Sequence, residues 1–243
     1  MEQELRLAVL IDADNAPRTA LREIMAEVAV YGTPTIKRIY GDWTAPNMGS
    51  WKPLLLEHAI TPFQQYSYTT GKNATDSAMI IDAMDILYSG NCSGFVLVSS
   101  DSDFTRLATR LREDGLKVYG MGEKKTPKPF IVACDKFVYI ESLKAAEAAK
   151  KAGKKKSAPA LDSKQLPIQE LIAQSVEDLA DEDGYAYLGD VGNLLIKKQP
   201  DFDPRNYGFS KLSRFIASLD CFEIDERHNA NYQGTQVFLR NKK

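Results

Sequence analysis

Two carboxylates follow a predicted strand in the middle of the chain. The strand is the apolar run Phe95–Val98, and Asp101 and Asp103 come directly after it, just before a helical pattern that begins at Phe104. In open α/β sheets, ligands bind outside the carboxyl ends of the strands, near the point where the strand order reverses. Two acids two residues apart at such a strand end therefore mark a candidate site.

A second pair of acids follows the first predicted strand. The apolar run Leu7–Ile11 stops at Asp12 and Asp14, and Pro17 then opens a predicted helix at a position where its missing N–H costs nothing. Because the carboxyl ends of parallel strands meet at one edge of a sheet, we expect both acidic pairs at the same edge.

A further acid comes from a helix. Asp76 precedes the apolar residues Met79 and Ile80 by three and four positions, so its side chain is expected on the face of the helix that packs against the sheet. Asp85 falls on the opposite, exposed face, and Asp82 lies at the side. The four acids expected to converge are Asp12, Asp76, Asp101 and Asp103.

Bringing four carboxylates together has a large electrostatic cost. At about 6 Å and an effective dielectric constant near 20, each pair repels by roughly 3 kcal/mol. A bound divalent cation would relieve this repulsion, as would protonation of one carboxyl group. Oxygen ligands favour Mg²⁺ or Mn²⁺ over zinc, and the chain has only 2 histidines, neither in a metal-binding motif. Such ions polarise a phosphoryl group and activate water, which predicts metal-assisted phosphodiester chemistry.

Each acid also has a simpler interpretation when it is taken singly. Asp14, Asp101 or Asp103, like Asn15, could cap the helix that follows it. Asp76 could be a first-turn acid that the helix dipole favours. Asp12 and Asp14 also match the Asp-x-Asp arrangement of a phosphatase site, although no matching lysine-bearing motif accompanies them.

The elements that must position these acids form an α/β pattern. Strands and amphipathic helices alternate from residue 5 to about residue 143, which predicts a parallel sheet covered on both faces. We expect strands at 6–12, 35–40, 60–65, 94–99, 117–121 and 136–140, and helices at about 17–31, 47–58, 74–88 and 104–114, with a short helical turn near 129–133. This domain would occupy residues 1–143.

The remainder of the chain differs in composition. Residues 144–164 carry 7 basic and 2 acidic side chains and too few apolar ones to build a core, which predicts a lysine-rich linker. Residues 165–243 show three short helical patterns and then two β-like runs, 221–224 and 236–239. This order is typical of a small α+β winged-helix domain.

Composition excludes several classes of protein. A chain of 243 residues with 44% hydrophobic and 26% charged residues is an ordinary globular one. No apolar run approaches the roughly 18 residues of a membrane span, and the acidic start Met1–Glu4 lacks a secretory pattern. The 3 scattered cysteines argue against a disulfide framework. We therefore expect a cytoplasmic protein with no membrane partner.

The first domain resembles NYN domains, which are relatives of the PIN-domain nucleases. The resemblance covers residues 5–143 and is carried by Ile11–Asn15, by Lys72 with Asp76 and Asp82, and by Val98–Phe104. It implies a Rossmann-like PIN fold and Mg²⁺- or Mn²⁺-dependent ribonuclease activity. It also implies metal-ligating and catalytic roles for Asp12, Asp76, Asp101 and Asp103, and supporting roles at the substrate for Asn15, Lys72 and Ser99. Arg106, just beyond Asp103, is a candidate phosphate contact.

The carboxyl-terminal part resembles the LOTUS or OST-HTH domain. The segments Asp183–Leu195 and Phe202–Leu212 carry this resemblance, which implies a winged helix that binds RNA or a partner protein. Arg205 and Lys211 are expected to contribute to a local basic patch for RNA, although this region has 9 basic and 13 acidic side chains. The sequence thus predicts a metal-dependent endoribonuclease. A catalytically silent RNA-binding or scaffold protein is the alternative, and assembly into a homo-oligomer stays open.

Overall fold

The structure, a computed structural model, describes residues 4–66, 74–151, 166–228 and 235–242. The chain divides into two compact units, Met1–Glu147 and Ala148–Lys243. Each unit has its own sheet and its own hydrophobic core.

The first unit is built on a parallel sheet of six strands in the order β3-β2-β1-β4-β5-β6. The strands are β1 (Arg6–Asp12), β2 (Thr33–Gly41), β3 (Thr61–Gln64), β4 (Gly94–Val98), β5 (Lys117–Gly122) and β6 (Lys136–Tyr139). The central strands β1 and β4 are buried almost throughout, which explains why they read as continuous apolar runs. The strand order reverses between these two strands, so their carboxyl ends form the switch point at which such sheets bind ligands.

Helices cover both faces of this sheet. They are α1 (Leu21–Tyr31), α2 (Lys52–His58), α3 (Ala74–Ser89), α4 (Thr105–Glu113), α5 (Lys128–Ala133) and α6 (Ile140–Lys151). Helices α1, α2 and α6 bury apolar side chains on one face, and α3, α4 and α5 bury theirs on the other. The predicted α/β class with a doubly covered parallel sheet is confirmed.

Two helices begin later than the sequence predicts, for local reasons. The helix expected at 47–58 begins as a 3-10 turn, Pro46–Trp51, and α2 starts only at Lys52, next to Pro53 with its missing N–H. A 3-10 turn, Arg18–Ala20, likewise precedes α1. Helix α6 runs from Ile140 to Lys151 and so extends into the lysine-rich segment.

The second unit is small and mixed. Its elements are α7 (Leu166–Leu179), β7 (Ala186–Tyr187), α8 (Leu188–Lys198), α9 (Leu212–Ala217), β8 (Phe222–His228) and β9 (Thr235–Asn241). The strands form an antiparallel sheet in the order β7-β9-β8. Ile172, Val191 and Phe215, one from each helix, are fully buried together with Leu239 of β9. The three expected helices and the hairpin are present, whereas the two-residue strand β7 is too short to give a sequence pattern. No helix in the described part of the chain is long and apolar enough to cross a membrane.

Candidate active site

Asp12, the last residue of β1, joins two loops at the carboxyl edge of the sheet. Its side chain is fully buried, and Oδ1 accepts hydrogen bonds from the backbone N–H groups of Asp14 (3.0 Å) and Asn15 (3.3 Å). Oδ2 accepts a bond from the Asn15 amide (2.8 Å) and another from the Ser99 hydroxyl (2.8 Å). Burial raises the pKa of Asp12, while the bonds from Asn15 and Ser99 act in the opposite direction. Asp12 thus orders its own loop and the loop after β4.

The loop after β4 is held by consecutive hydrogen bonds between residues that are close in sequence. The Ser99 hydroxyl, which donates to Asp12, also accepts the backbone N–H of Asp101 at 3.1 Å. Oδ1 of Asp101 in turn accepts the backbone N–H of Asp103 at 3.0 Å and so caps the 3-10 turn that leads into α4. The capping role that spacing allowed for Asp101 is therefore real, and it uses one of the two carboxylate oxygens.

Three of the four predicted acids converge closely. Carboxylate oxygens of Asp76, Asp101 and Asp103 all lie within 4.8 Å of one another. Asp76 is 8% exposed in the first turn of α3, which confirms that it faces inward, whereas Asp101 is half-buried and Asp103 is exposed. Asp12 is not a member of this group, because its oxygens are turned to the donors of the two loops.

The electrostatics of this group follow from its composition. Burial, the largest cause, and the nearby negative charges of Asp12, Asp101 and Asp103 together raise the pKa of Asp76 to about 6. The negative charge of Asp76 is thus disfavoured both by burial and by the neighbouring carboxylates. The arrangement therefore favours binding of a cation, which would offset the negative charges of the carboxylates.

The donor set fits a hard divalent ion. All three groups offer oxygen, the ligand that Mg²⁺ and Mn²⁺ prefer. Octahedral Mg²⁺ holds its oxygens at about 2.0–2.1 Å, so two ligands on opposite sides of the ion are about 4 Å apart. A spread of 4.8 Å is close to that separation and needs only small rotations of the side chains.

The remaining candidate residues of the first unit have mixed environments. Asn15 and Ser99 both bond the carboxylate of Asp12. Arg106 is exposed on the first turn of α4, three residues beyond Asp103. Lys72 lies outside the described residues. Arg106 is therefore accessible to a ligand, whereas the side chains of Asn15 and Ser99 are hydrogen-bonded to Asp12.

In the second unit, the two candidate RNA contacts differ from each other. The Arg205 guanidinium pairs with the buried carboxylate of Asp203, with Nη2 2.6 Å from Oδ2 and Nε within 3.0 Å of both oxygens. Lys211 is exposed at the start of α9. Of the two cations, Lys211 is thus the more accessible to a polyanion.

One residue at the site has a structural role that spacing could not reveal. Asp82 of α3 accepts bonds from the guanidinium of Arg38 and from the hydroxyl of Tyr40, both on β2. Tyr40 is fully buried and is the register partner of Asp12 in the sheet. Asp82 therefore fixes α3, and with it Asp76, against the strand position level with Asp12.

Replacing Asp82 with Ala is expected to lower the free energy of unfolding by about 1–3 kcal/mol. The substitution leaves the buried hydroxyl of Tyr40 and the guanidinium of Arg38 without their acceptor, and unpaired buried polar groups carry a cost of that size. Urea unfolding measures the change. Asp85→Ala, on the exposed side of the same helix, is the matched control and should stay within about 0.5 kcal/mol of the native protein. Equal stabilities of the two variants would contradict this role of Asp82.

Comparison with protein families decides the class of the first unit. The model of the NYN domain family matches residues 6–141, more than half of the chain. This chain belongs to the NYN domain family. A second family model, the OST-HTH/LOTUS domain, matches residues 160–233. NYN domains are of the PIN-like nuclease type and LOTUS domains bind RNA, so the two matches together indicate an RNA-related role.

Solved structures add information on the fold. A protein of unknown function from Vibrio parahaemolyticus RIMD 2210633 is 19% identical, with a TM-score of 0.50, and the match covers 58% of this chain and 95% of that one. An uncharacterized protein from Nitrosomonas europaea is 33% identical over 37% of this chain and 92% of its own, with a TM-score of 0.29. A Chromobacterium violaceum protein is 32% identical over 32% of this chain and 84% of its own, with a TM-score of 0.27. No curated protein shows a significant match.

Proposed function

We propose that this NYN protein is a divalent-metal-dependent endoribonuclease that uses Mg²⁺ or Mn²⁺. The observation that carries the proposal is the group formed by Asp76, Asp101 and Asp103, whose oxygens lie within 4.8 Å at the switch point of the sheet. The membership of the chain in a nuclease-type family supports the same reaction. The LOTUS match supports RNA as the substrate.

The acids have distinct roles in this proposal. Asp76, Asp101 and Asp103 would hold the metal ion, which supplies polarisation of the scissile phosphate and activation of a water molecule. Asp12 adds a negative charge beside this group and, through its bonds to Asn15 and Ser99, keeps the loops after β1 and β4 in place. Preorganised ligands of this kind avoid reorganisation during the reaction.

RNA would be held by cations outside the acidic group. Arg106 is exposed next to that group and is proposed to contact a phosphate, as is Lys72. Lys211, with Arg205, is proposed to contribute to RNA binding by the LOTUS domain. A protein partner docked on the LOTUS domain, a homo-oligomer and a cytoplasmic location stay predictions from the sequence, as do the domain boundaries.

Ser99→Ala is expected to reduce cleavage by about 10–100-fold, the usual cost of removing a group that orients a metal ligand. The substitution removes the bond to Asp12 Oδ2 (2.8 Å) and the acceptor of the Asp101 N–H (3.1 Å). Initial rates on labelled RNA measure the effect. Ser102→Ala changes an exposed serine of the same loop and should leave the rate unchanged. A Ser99→Ala rate equal to that of Ser102→Ala would remove this role of Ser99.

The proposal itself is tested with end-labelled single-stranded RNA, structured RNA and DNA, each incubated with the full-length protein in Mn²⁺, Mg²⁺ or EDTA. We expect RNA to be shortened only when a metal ion is present. RNA that stays intact under every condition but remains bound in EDTA would favour the alternative, a catalytically silent RNA-binding or scaffold protein. Turnover of a generic phosphomonoester would indicate the phosphatase. That outcome is disfavoured because both oxygens of buried Asp12 are already engaged by hydrogen-bond donors.

A further inference from the structure

The segment between β5 and α5, residues 123–127, is joined directly to the acidic site. The backbone N–H of Glu123 donates to the Ser100 hydroxyl at 2.9 Å, one residue before Asp101. The backbone N–H of Ser99 donates to the carbonyl oxygen of Met121 at 3.1 Å, where β5 is about to end. The segment therefore begins beside the loop that carries Asp101 and Asp103, at the same edge of the sheet.

This segment is held in one backbone conformation. The buried Thr126 hydroxyl donates to the carbonyl oxygen of Glu123 at 2.5 Å, and the N–H of Thr126 donates to the same oxygen at 2.9 Å. The backbone N–H of Lys124 donates to the Glu141 carboxylate at 3.0 Å and 3.2 Å. A fixed backbone restricts each lysine ammonium group to the reach of its own side chain.

This segment and the first residue of α5 carry three lysines, and two of them differ from the third in their partners. Lys125 forms an ion pair with Glu123 at 2.7 Å. Lys124 and Lys128 are exposed, and within the described residues neither ammonium group forms a salt bridge. The Glu141 carboxylate accepts the backbone N–H of Lys124 rather than its ammonium group. Lys124 follows the carboxyl end of β5, and Lys128 is the first residue of α5, which packs against the turn Ser102–Phe104 that contains Asp103.

We propose that Lys124 and Lys128 bind RNA phosphates next to the phosphate held at the acidic group. This inference rests on the proposed function for its choice of RNA as the ligand. An RNA strand can contact the acidic group and the two lysines at once. One phosphate reaches the acids through a metal ion, while neighbouring phosphates of the same strand pair with the lysines. A small phosphomonoester has no second phosphate to place there. Lys124 and Lys128 thus form a second substrate contact that favours a polymer over a single nucleotide.

The test compares full-length variants in their binding of a short, fluorescently labelled single-stranded RNA. Anisotropy is measured in EDTA over a series of salt concentrations, so that binding is read without cleavage. The double variant Lys124→Gln/Lys128→Gln is expected to bind about 10-fold more weakly at low salt. The slope of log K against log salt should decrease by about 1.4 in magnitude, because each contact with a single-stranded phosphate contributes about 0.7.

Two controls make the result specific. Lys117→Gln removes an exposed lysine from the opposite end of the same strand, where its ammonium lies 3.6 Å from Asp135, and should bind RNA as the native protein does. Lys124→Arg/Lys128→Arg keeps both charges and should restore binding. Native affinity and slope in the Gln double variant would overturn the inference, and so would an equal loss in Lys117→Gln.

The same variants separate this inference from the proposed function. If RNA is never shortened in Mn²⁺ but binding still falls only in the Gln double variant, the endoribonuclease proposal fails and the lysine contacts stand. If RNA is cleaved and the double variant has the native KM and kcat, the endoribonuclease stands and the lysine contacts fail. A raised KM with an unchanged kcat supports both.

Discussion

Replacing Asp101 with Asn is expected to reduce metal-dependent RNA cleavage by at least about 10³-fold without lowering the melting temperature. The substitution removes a charged ligand from the acidic group, and stabilisation of the transition state by a metal ion is worth several kcal/mol, about one factor of ten for each 1.4 kcal/mol. The side-chain oxygen of Asn can still accept the N–H of Asp103 and cap the turn. One negative charge fewer also relieves the repulsion on Asp76. The melting temperature should therefore be equal to or higher than that of the native protein.

Single-turnover rates in Mn²⁺ and Mg²⁺, together with thermal melts in EDTA, measure both parts of this prediction. Asp85→Asn is the matched control, because Asp85 is an exposed acid on the far side of α3 and should change neither the rate nor the melting temperature. Native cleavage by Asp101→Asn would remove Asp101 from the reaction. A large fall in its melting temperature would mean that the acidic group does not destabilise the metal-free fold.

Asp76 is expected to make the metal-free protein less stable as the pH rises. Its pKa in the folded protein is about 6, compared with an ordinary value of 3.8, so the folded state binds this proton more tightly than the unfolded state does. The contribution of Asp76 is fully present below about pH 4 and is lost as the pH rises through about 6. A difference of about two pKa units corresponds to at most about 3 kcal/mol. Addition of Mn²⁺ near neutral pH should recover part of this loss, because the ion binds the folded state.

Urea unfolding in EDTA near pH 4 and near pH 7, for the native protein and for Asp76→Asn, isolates this effect from other titrating groups. The variant should be the more stable of the two near pH 7, and the difference should shrink towards pH 4. Asp85→Asn should follow the native profile at both pH values. Parallel profiles of Asp76→Asn and the native protein would show that Asp76 ionises as an ordinary surface carboxylate does.

The order of the elements could be predicted from the sequence, because the central strands are buried on both faces and form continuous apolar runs. Strand β1 was predicted with the bounds that the structure has, Arg6–Asp12, and β4 ends at Val98, one residue before its predicted end. The start of β2 was less predictable. Strand β2 begins at Thr33, two residues earlier than expected, because Pro34 is accommodated where the pairing register with β1 shifts.

The candidate site could be predicted as far as local spacing determines direction. The inward face of Asp76 and the outward face of Asp85 follow from helical periodicity, and burial confirms both. The partners of Asp82 could not be found in this way, because they lie 44 and 42 residues earlier, on a different element. Arg205, which was predicted to bind RNA, forms an ion pair with Asp203, only two residues away. The sequence motif alone does not show whether an arginine pairs with a neighbouring acid or with a ligand.

The four hydrogen bonds on the Asp12 carboxylate have a practical consequence for genetics. A substitution of Asp12 would release the loops after β1 and β4 together. Its phenotype would be pleiotropic, because the same substitution would cause both misfolding and loss of catalysis. An inactive Asp12 allele would therefore not distinguish an enzyme from a scaffold in a cell, because the substitution would disable either one. An Asp101→Asn allele keeps its cap, and with it the architecture on which a partner could depend.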